Sequence, residues 1–199
     1  MQVVLIDSGG ANIGSVKYAL ERLGVNAQLT ADPQVIASAD RVILPGVGAA
    51  GPGMARLREL ELVDVVRAVR QPLLGVCLGM QLLFDSSEED DTQCLGLVPG
   101  RVRKLAGGQG IRVPQMGWNT LKPLREDSLL SGVPEGAQAY FVHSYVAPMG
   151  EDTLATSSHG EEFAAVVRHG NCWGAQFHPE RSAAVGAKLL ENFLSERLA

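Results

Sequence analysis

Three side chains of this 199-residue chain stand in patterns that nucleophilic catalysis uses: Cys77, His178 and Glu180. Cys77 lies in PLLGVCLGMQLLF, Pro72 to Phe84, at the centre of the pattern Gly75-Val76-Cys77-Leu78-Gly79. G-x-C-x-G is the cysteine form of a nucleophile elbow, a tight strand-to-helix turn. Glycines two before and two after the cysteine relieve crowding, so the thiol can stand exposed. A helix starting at Leu78 lends partial positive charge, which favours thiolate. The amide N–H of Leu78 then points where an oxyanion forms. Taken alone, the pattern fits a structural strand end equally well.

His178 and Glu180 stand two apart in AQFHPERS, Ala175 to Ser182. A strand persisting through Pro179 puts both side chains on one face. A carboxylate beside an imidazole fixes its tautomer and supports the imidazolium. Alone, H-P-E also describes a surface histidine next to a proline. Together with an elbow cysteine it makes a Cys-His-Glu triad, distant in sequence and joined by the fold. The second oxyanion element is expected in the loop Pro45-Gly46-Val47-Gly48, whose glycines permit unusual backbone angles. That loop has no Walker pattern, and Ser8-Gly9-Gly10 does not fit G-x-G-x-x-G.

These groups need a scaffold that brings strand ends together. Short apolar strands at Gln2–Ile6, Ala27–Leu29, Arg41–Leu44 and Pro72–Val76 alternate with helical segments. The first helix runs from a cap at Asn12 or Ser15 to Leu23, and Gly24 suits its end. The next runs from Met54 to Val69, and another starts at Leu78 and continues to Phe84. This alternation implies an open, mostly parallel sheet covered on both faces. Ligands in such sheets bind outside the carboxyl ends of the strands. Later strands, at 101–105, 139–146, 153–156, 163–168 and 172–177, read as antiparallel additions to that sheet. A last helix spans Ala183 to Leu198, and the acidic run Glu88 to Asp91 reads as a solvated loop. No linker divides the chain, so residues 1–199 are expected to form one domain.

Composition narrows the function. A net charge of −5 argues against a reader of duplex nucleic acid. The N-terminus lacks a basic n-region, and no apolar run approaches a membrane span. Cys77, Cys94 and Cys172 are odd in number and widely spaced. They suggest neither a disulfide framework nor a metal site, so a reducing cytosol and no cofactor are expected. Cys94 and Cys172 lack an elbow, which leaves Cys77 as the reactive thiol.

The motifs GVCLGMQLLF and QFHPERS resemble those of the class I (triad) glutamine amidotransferases. PGVGA, PQMGWN (Pro114 to Asn119) and YFVHSY (Tyr140 to Tyr145) are similar to the branch that forms the glutaminase subunits of imidazole glycerol phosphate synthases. The likeness runs from Asp7 to Ser182. It implies the family's flavodoxin-like α/β core. It also implies that Cys77 attacks the glutamine side-chain amide, that His178 protonates departing ammonia and then activates water, and that Glu180 orients His178. Backbone amides at Val47, Gly48 and Leu78 hold the oxyanion. Gly46, Gln81, Glu89 and the segment His143, Ser144 and Tyr145 form the glutamine pocket.

The family's partner is a separate (βα)8-barrel cyclase, to which ammonia passes. There it reacts with a ribulosyl aminoimidazole carboxamide intermediate, giving imidazole glycerol phosphate and aminoimidazole carboxamide ribotide. Asn12, Trp118, Tyr140 and Arg181 are candidates for the docking face. The chain departs from the family pattern at Ser8, Ala11, Ala50 and Arg181, which bears on subunit contacts and leaves the triad untouched. Two other readings are another amidotransferase's glutaminase and a silent docking protein on the same fold. The first generally has a P-G-G loop, and the second is opposed by the intact triad. A cysteine peptidase also satisfies the triad logic. Val47, where a glycine would loosen the loop, suggests an oxyanion loop that docking switches on.

Overall fold

The computed structural model describes residues 1–9 and 12–196. The strands are β1 Val3–Ile6, β2 Gln28–Thr30, β3 Arg41–Gly46, β4 Leu73–Cys77, β5 Phe84–Ser87, β6 Thr92–Gln93 and β7 Val98–Lys104. They continue as β8 Gln115–Thr120, β9 Lys122–Pro123, β10 Gln138–His143, β11 Tyr145–Val146, β12 Thr153–Ser158, β13 Glu162–His169 and β14 Cys172–Ala175. The helices are α1 Ile13–Arg22, α2 Pro33–Ser38, α3 Ala50–Glu59, α4 Val63–Arg67, α5 Leu78–Leu82 and α6 Ala183–Ser195.

Eight strands form the central sheet in the order β2-β1-β3-β4-β14-β13-β12-β9. The first five run parallel, and β13, β12 and β9 extend the sheet antiparallel. Alternating side chains feed two cores, as the strand period requires. Val3, Leu5, Ile43 and Val76 pack with α1 and α6, through Leu20, Leu189 and Phe193. Val4, Ile6, Val42 and Leu44 pack on the other face with α2 to α5, through Ile36, Met54, Leu57 and Met80. The chain reverses direction of sheet growth between β1 and β3. The loops after β1, β3 and β4 therefore converge at one edge, the usual ligand position in doubly wound sheets.

Several elements differ from the expected ones. The helix expected over Met54–Val69 is two helices. Glu61 takes a left-handed turn (φ 57°), so that Leu57 and Leu62 both bury, with Leu62 N bonded to Leu57 O at 2.8 Å. A left-handed non-glycine residue costs about 1 kcal/mol, which burial of Leu62 offsets. The helix after Cys77 stops at Leu82, because Phe84 already pairs with Val98. The expected strand 139–146 breaks at Ser144. Its two parts join different sheets, β10 with β8 and β11 with β7 in the four-stranded sheet β11-β7-β5-β6. The second half thus builds two small sheets as well as extending the main one. Glu88 to Asp91 is not a free loop either: Glu89–Asp91 forms a 3-10 turn. The last helix ends at Ser195, and its expected end at Leu198 lies outside the described residues.

Candidate active site

Cys77 ends β4 in a conformation that L-residues rarely adopt, φ 52° and ψ −110°. The elbow holds because its glycines permit contact no side chain would. A Cβ on Gly79 would sit 1.8 Å from the Leu44 carbonyl oxygen, and one on Gly75 2.7 Å from the Gly79 carbonyl oxygen. These glycines let α5 press against β3 and β4, which drives the cysteine into its strained turn. The thiol is not exposed as expected: Cys77 is 6% accessible, at the floor of a cavity. α5 has five residues, so its contribution is the nearby amides of its first turn more than a macrodipole.

The cavity holds about 280 Å³, the scale of a small amino acid, and Cys77 and His178 both line it. His178 is not on a strand. β14 ends at Ala175, and His178 precedes a 3-10 turn, Pro179–Arg181. The turn, and no strand alternation, brings Glu180 back to the ring, with His178 Nδ1 donating to Glu180 Oε1 at 2.9 Å. Asn12 Nδ2 donates to the same oxygen. With Nδ1 committed, the other ring nitrogen is left for Cys77.

Burial works against charge on His178, but the neighbouring Cys77 and the bond to Glu180 outweigh that and push its pKa up to about 10. Burial likewise opposes charge on Glu180, whose Oε2 has no partner among the described residues. The bond from His178, its charge and the Asn12 amide prevail and hold the carboxyl below its ordinary value. The Glu180 carboxylate thus favours the imidazolium form of His178 and fixes the orientation of its ring.

Residues with no expected part in the triad position this turn. His178 N bonds to Tyr140 O, 2.9 Å. The buried Ser182 hydroxyl donates to His178 O at 2.7 Å and accepts from Tyr140 N at 2.9 Å. A Cβ on Gly186 would meet Pro179 O at 1.8 Å, so this glycine lets α6 dock under the turn. The signal for it was a glycine inside an amphipathic helix, where it otherwise only weakens the helix.

Gly46 closes β3 opposite Cys77, and its missing Cβ admits the Gly79 amide. Val47, Gly48 (φ +99°) and Leu78 line the cavity beside the sulfur. The far wall is polar. Glu89 Oε2 accepts from Ala50 N, 2.8 Å. Burial and the neighbouring Asp90 push the Glu89 carboxyl up, against the lowering effect of that bond. Gln81, Ser144 and Tyr145 complete this wall. Gln81 Nε2 donates to Tyr145 O at 2.9 Å. His143 is buried, and desolvation outweighs its bond to Tyr145 O (Nδ1, 2.9 Å), pushing it down to about 4. It is a neutral ring whose Nε2 faces the Gln115 amide at 3.0 Å.

The structure separates the four docking candidates. Asn12 is turned inward, onto Glu180. Trp118 is 53% exposed on β8, edge-on to Tyr140 at 5.9 Å. The Arg181 guanidinium lies 5.7 Å over Tyr140. Met116, two residues before Trp118 on the same face, is 67% exposed and was not anticipated.

The family model "Glutamine amidotransferase class-I" matches residues 4–196. The chain is 60% identical over 192 residues to the imidazole glycerol phosphate synthase subunit HisH of Xanthomonas euvesicatoria pv. vesicatoria, covering 96% of each chain. It is 57% identical over 193 residues to the HisH subunit of Xylella fastidiosa, strain Temecula1, covering 97% of this chain and 96% of the other. A solved structure titled as a glutamine amidotransferase superposes with a TM-score of 0.74 at 24% identity, covering 96% of both chains. At that identity the superposition speaks to the fold.

Proposed function

This chain belongs to the class-I glutamine amidotransferases, and from that premise we propose that Cys77, His178 and Glu180 hydrolyse the side-chain amide of L-glutamine. Its function is that of the glutaminase subunit of imidazole glycerol phosphate synthase in histidine biosynthesis. One observation carries the assignment of the triad: the elbow cysteine shares a 280 Å³ cavity with an imidazole whose far nitrogen is bonded to a buried carboxylate at 2.9 Å.

Cys77 Sγ attacks the amide carbon, and the carbonyl oxygen becomes an oxyanion facing the amides of Leu78 and the Val47–Gly48 segment. His178 gives its proton to the departing nitrogen, releasing ammonia and leaving a thioester on Cys77. The now neutral His178 takes a proton from water, which attacks the thioester and frees glutamate. Glu180 keeps Nδ1 protonated throughout. Gln81 and Glu89 receive the α-amino end of the substrate, and backbone at Gly46 and at 143–145 walls the remainder. His143, neutral and bonded at both nitrogens, supports that wall and takes no proton.

The partner is a cyclase of (βα)8-barrel form that receives the ammonia, in the cytoplasm. Trp118, Tyr140 and Arg181, joined by Met116, form the docking patch. The Val47–Gly48 segment is switched by docking, so the free chain turns over slowly. The test is ammonia release from glutamine by the chain alone, then with a cyclase subunit and its ligand, each repeated with Cys77→Ala. Low release alone, strong stimulation in the complex and none in the variant are expected. Full turnover by the free chain would remove the switch. Unchanged turnover by Cys77→Ala would remove the triad.

A further inference from the structure

A line of buried amides runs behind the cysteine, from the far wall of the cavity to the sulfur. Gln81 Nε2 donates to the Tyr145 carbonyl and to Gln176 Oε1, each at 2.9 Å. Gln176 Nε2 lies 3.8 Å from Cys77 Sγ. The direction of these bonds is forced. A backbone carbonyl only accepts, so Gln81 must turn its NH2 to Tyr145. Its second hydrogen faces Gln176, which must answer with oxygen. Gln176 is then left with its NH2 toward the sulfur. Its side chain has no solvent to turn to, because Gln176 is fully buried, and its backbone N–H is held by Ala165 O at 2.9 Å.

The geometry points to Gln176 as a donor to the nucleophile that links Cys77 Sγ, through Gln81, to the amino end of the substrate. The inference rests on the proposed roles of Cys77 and Gln81. The Val142 carbonyl, 3.7 Å from Sγ, can bond only the protonated thiol. The Gln176 N–H favours the thiolate. Both hydrogens of the Gln81 amide are used, and among the described residues no group donates to its Oε1. An ammonium bound at that oxygen polarises the Gln81 amide and strengthens each N–H down the line. Substrate thereby stabilises the thiolate that is about to attack it. The titratable groups facing the same cavity are His178, His143, Glu89 and Tyr145. Gln176 carries no charge, so replacing it leaves theirs in place.

The test uses the full chain with Gln176→Met, which keeps the volume and removes the donor. Alkylation of Cys77 by iodoacetamide is followed against pH, with Cys94 and Cys172 resolved by peptide mass spectrometry. At pH 7 the variant should react about tenfold more slowly, the effect of losing one hydrogen bond to an ion, and the gap should close at high pH. The kcat should fall by a similar factor. Identical rates for folded parent and variant across the pH range overturn the inference alone. A parent in which Cys77 reacts no faster than Cys94 overturns the nucleophile assignment with it. On the unsubstituted chain, the Gln176 side-chain NH2 resonances should shift over the pH interval in which Cys77 becomes reactive, and stay fixed in Cys77→Ala. Resonances fixed in the parent overturn the inference whether or not Gln176→Met folds.

Discussion

The central sheet holds a buried cysteine at each end, and the two ends treat them differently. Cys77 closes the carboxyl end of β4. Cys172 opens the neighbouring strand β14 at the amino end, opposite Leu73. Their exposures are alike, 6% and 3%. Burial alone pushes the Cys172 thiol up to about 11, and its one side-chain hydrogen bond among the described residues is to Asn171 Oδ1 at 3.9 Å. Asn171 itself is spent on structure, donating to Val69 O and Gln71 O at 3.1 and 2.9 Å. At the carboxyl end, His178, Gln176 and the first amides of α5 gather around Cys77. Burial therefore does not distinguish the two cysteines. What distinguishes them is which end of a parallel strand the loops leave free to collect polar groups.

Removing each sulfur gives the largest contrast. Cys77→Ala should lower ammonia release at least ~10⁴-fold, as loss of a nucleophile does, and should also lower the unfolding midpoint, because Cys77 helps hold the charge on His178. Cys172→Ala should keep turnover within about twofold and cost roughly 1–2 kcal/mol through the small cavity it leaves. Steady-state ammonia release and urea unfolding on both variants decide it; a comparable activity loss at Cys172 would break the contrast. The glycines offer the next one. Gly79→Ala forces a Cβ against the Leu44 carbonyl and should cost about 3 kcal/mol or more. At the amino end, Gly170 has φ +57° but open space around it. Gly170→Ala should cost only about 1 kcal/mol, by the same unfolding measurement.

The charged pair makes the carboxyl end sensitive to pH. Burial opposes the charge on His178, but its bonds raise it to about 10, so its stabilising effect is complete below the free imidazole value of about 6.5 and is lost as pH climbs toward 10. Glu180 is held below its ordinary value despite burial. Its contribution is present above about 4.3 and lost as pH falls through the lowered value. Stability from the pair is therefore greatest between about pH 4.3 and 6.5. Cys172 and Cys94, both raised to about 11, erode stability only above about pH 8.5. Urea midpoints from pH 4 to 8 should decline on the alkaline side in the parent, and Glu180→Gln should flatten the curve. A flat parent curve over pH 6.5 to 8 would contradict the coupling.

The convergence of Cys77, His178 and Glu180 was legible because its signals are local. G-x-C-x-G fixes a backbone turn, and H-P-E sets two side chains within one turn of each other. Strands β1, β3 and β4 are apolar runs with only one buried solution. Elements whose form depends on remote partners were not legible. The break at Glu61 depends on where Leu62 finds its pocket. The split at Ser144 depends on two different sheets claiming β10 and β11. Gln176 looks like any polar residue beside a motif until Gln81, 95 positions away, fixes its direction. Even the H-P-E geometry was reached by the wrong route, since a 3-10 turn does what strand alternation was expected to do.

The smallest effect on the isolated chain should come from Trp118, and it tests whether polar chemistry and partner contact are separable. Its ring projects from β8, beside Met116 and against the edge of Tyr140, so truncation removes little buried area. Trp118→Ala should change stability by no more than about 1 kcal/mol. If the proposed docking patch meets a cyclase subunit, its exposed tryptophan is the kind of residue that dominates binding, and in Trp118→Ala the concentration of cyclase needed for half-maximal stimulation should rise about tenfold or more. Tyr140 joins the two functions physically: its ring meets Trp118, while its backbone holds His178 and Ser182. If Trp118→Ala weakens docking but leaves maximal stimulation intact, the patch only tethers. If maximal stimulation falls as well, contact at Trp118 is transmitted through β10 to the His178 turn, and the reactive end of the sheet extends to the protein surface.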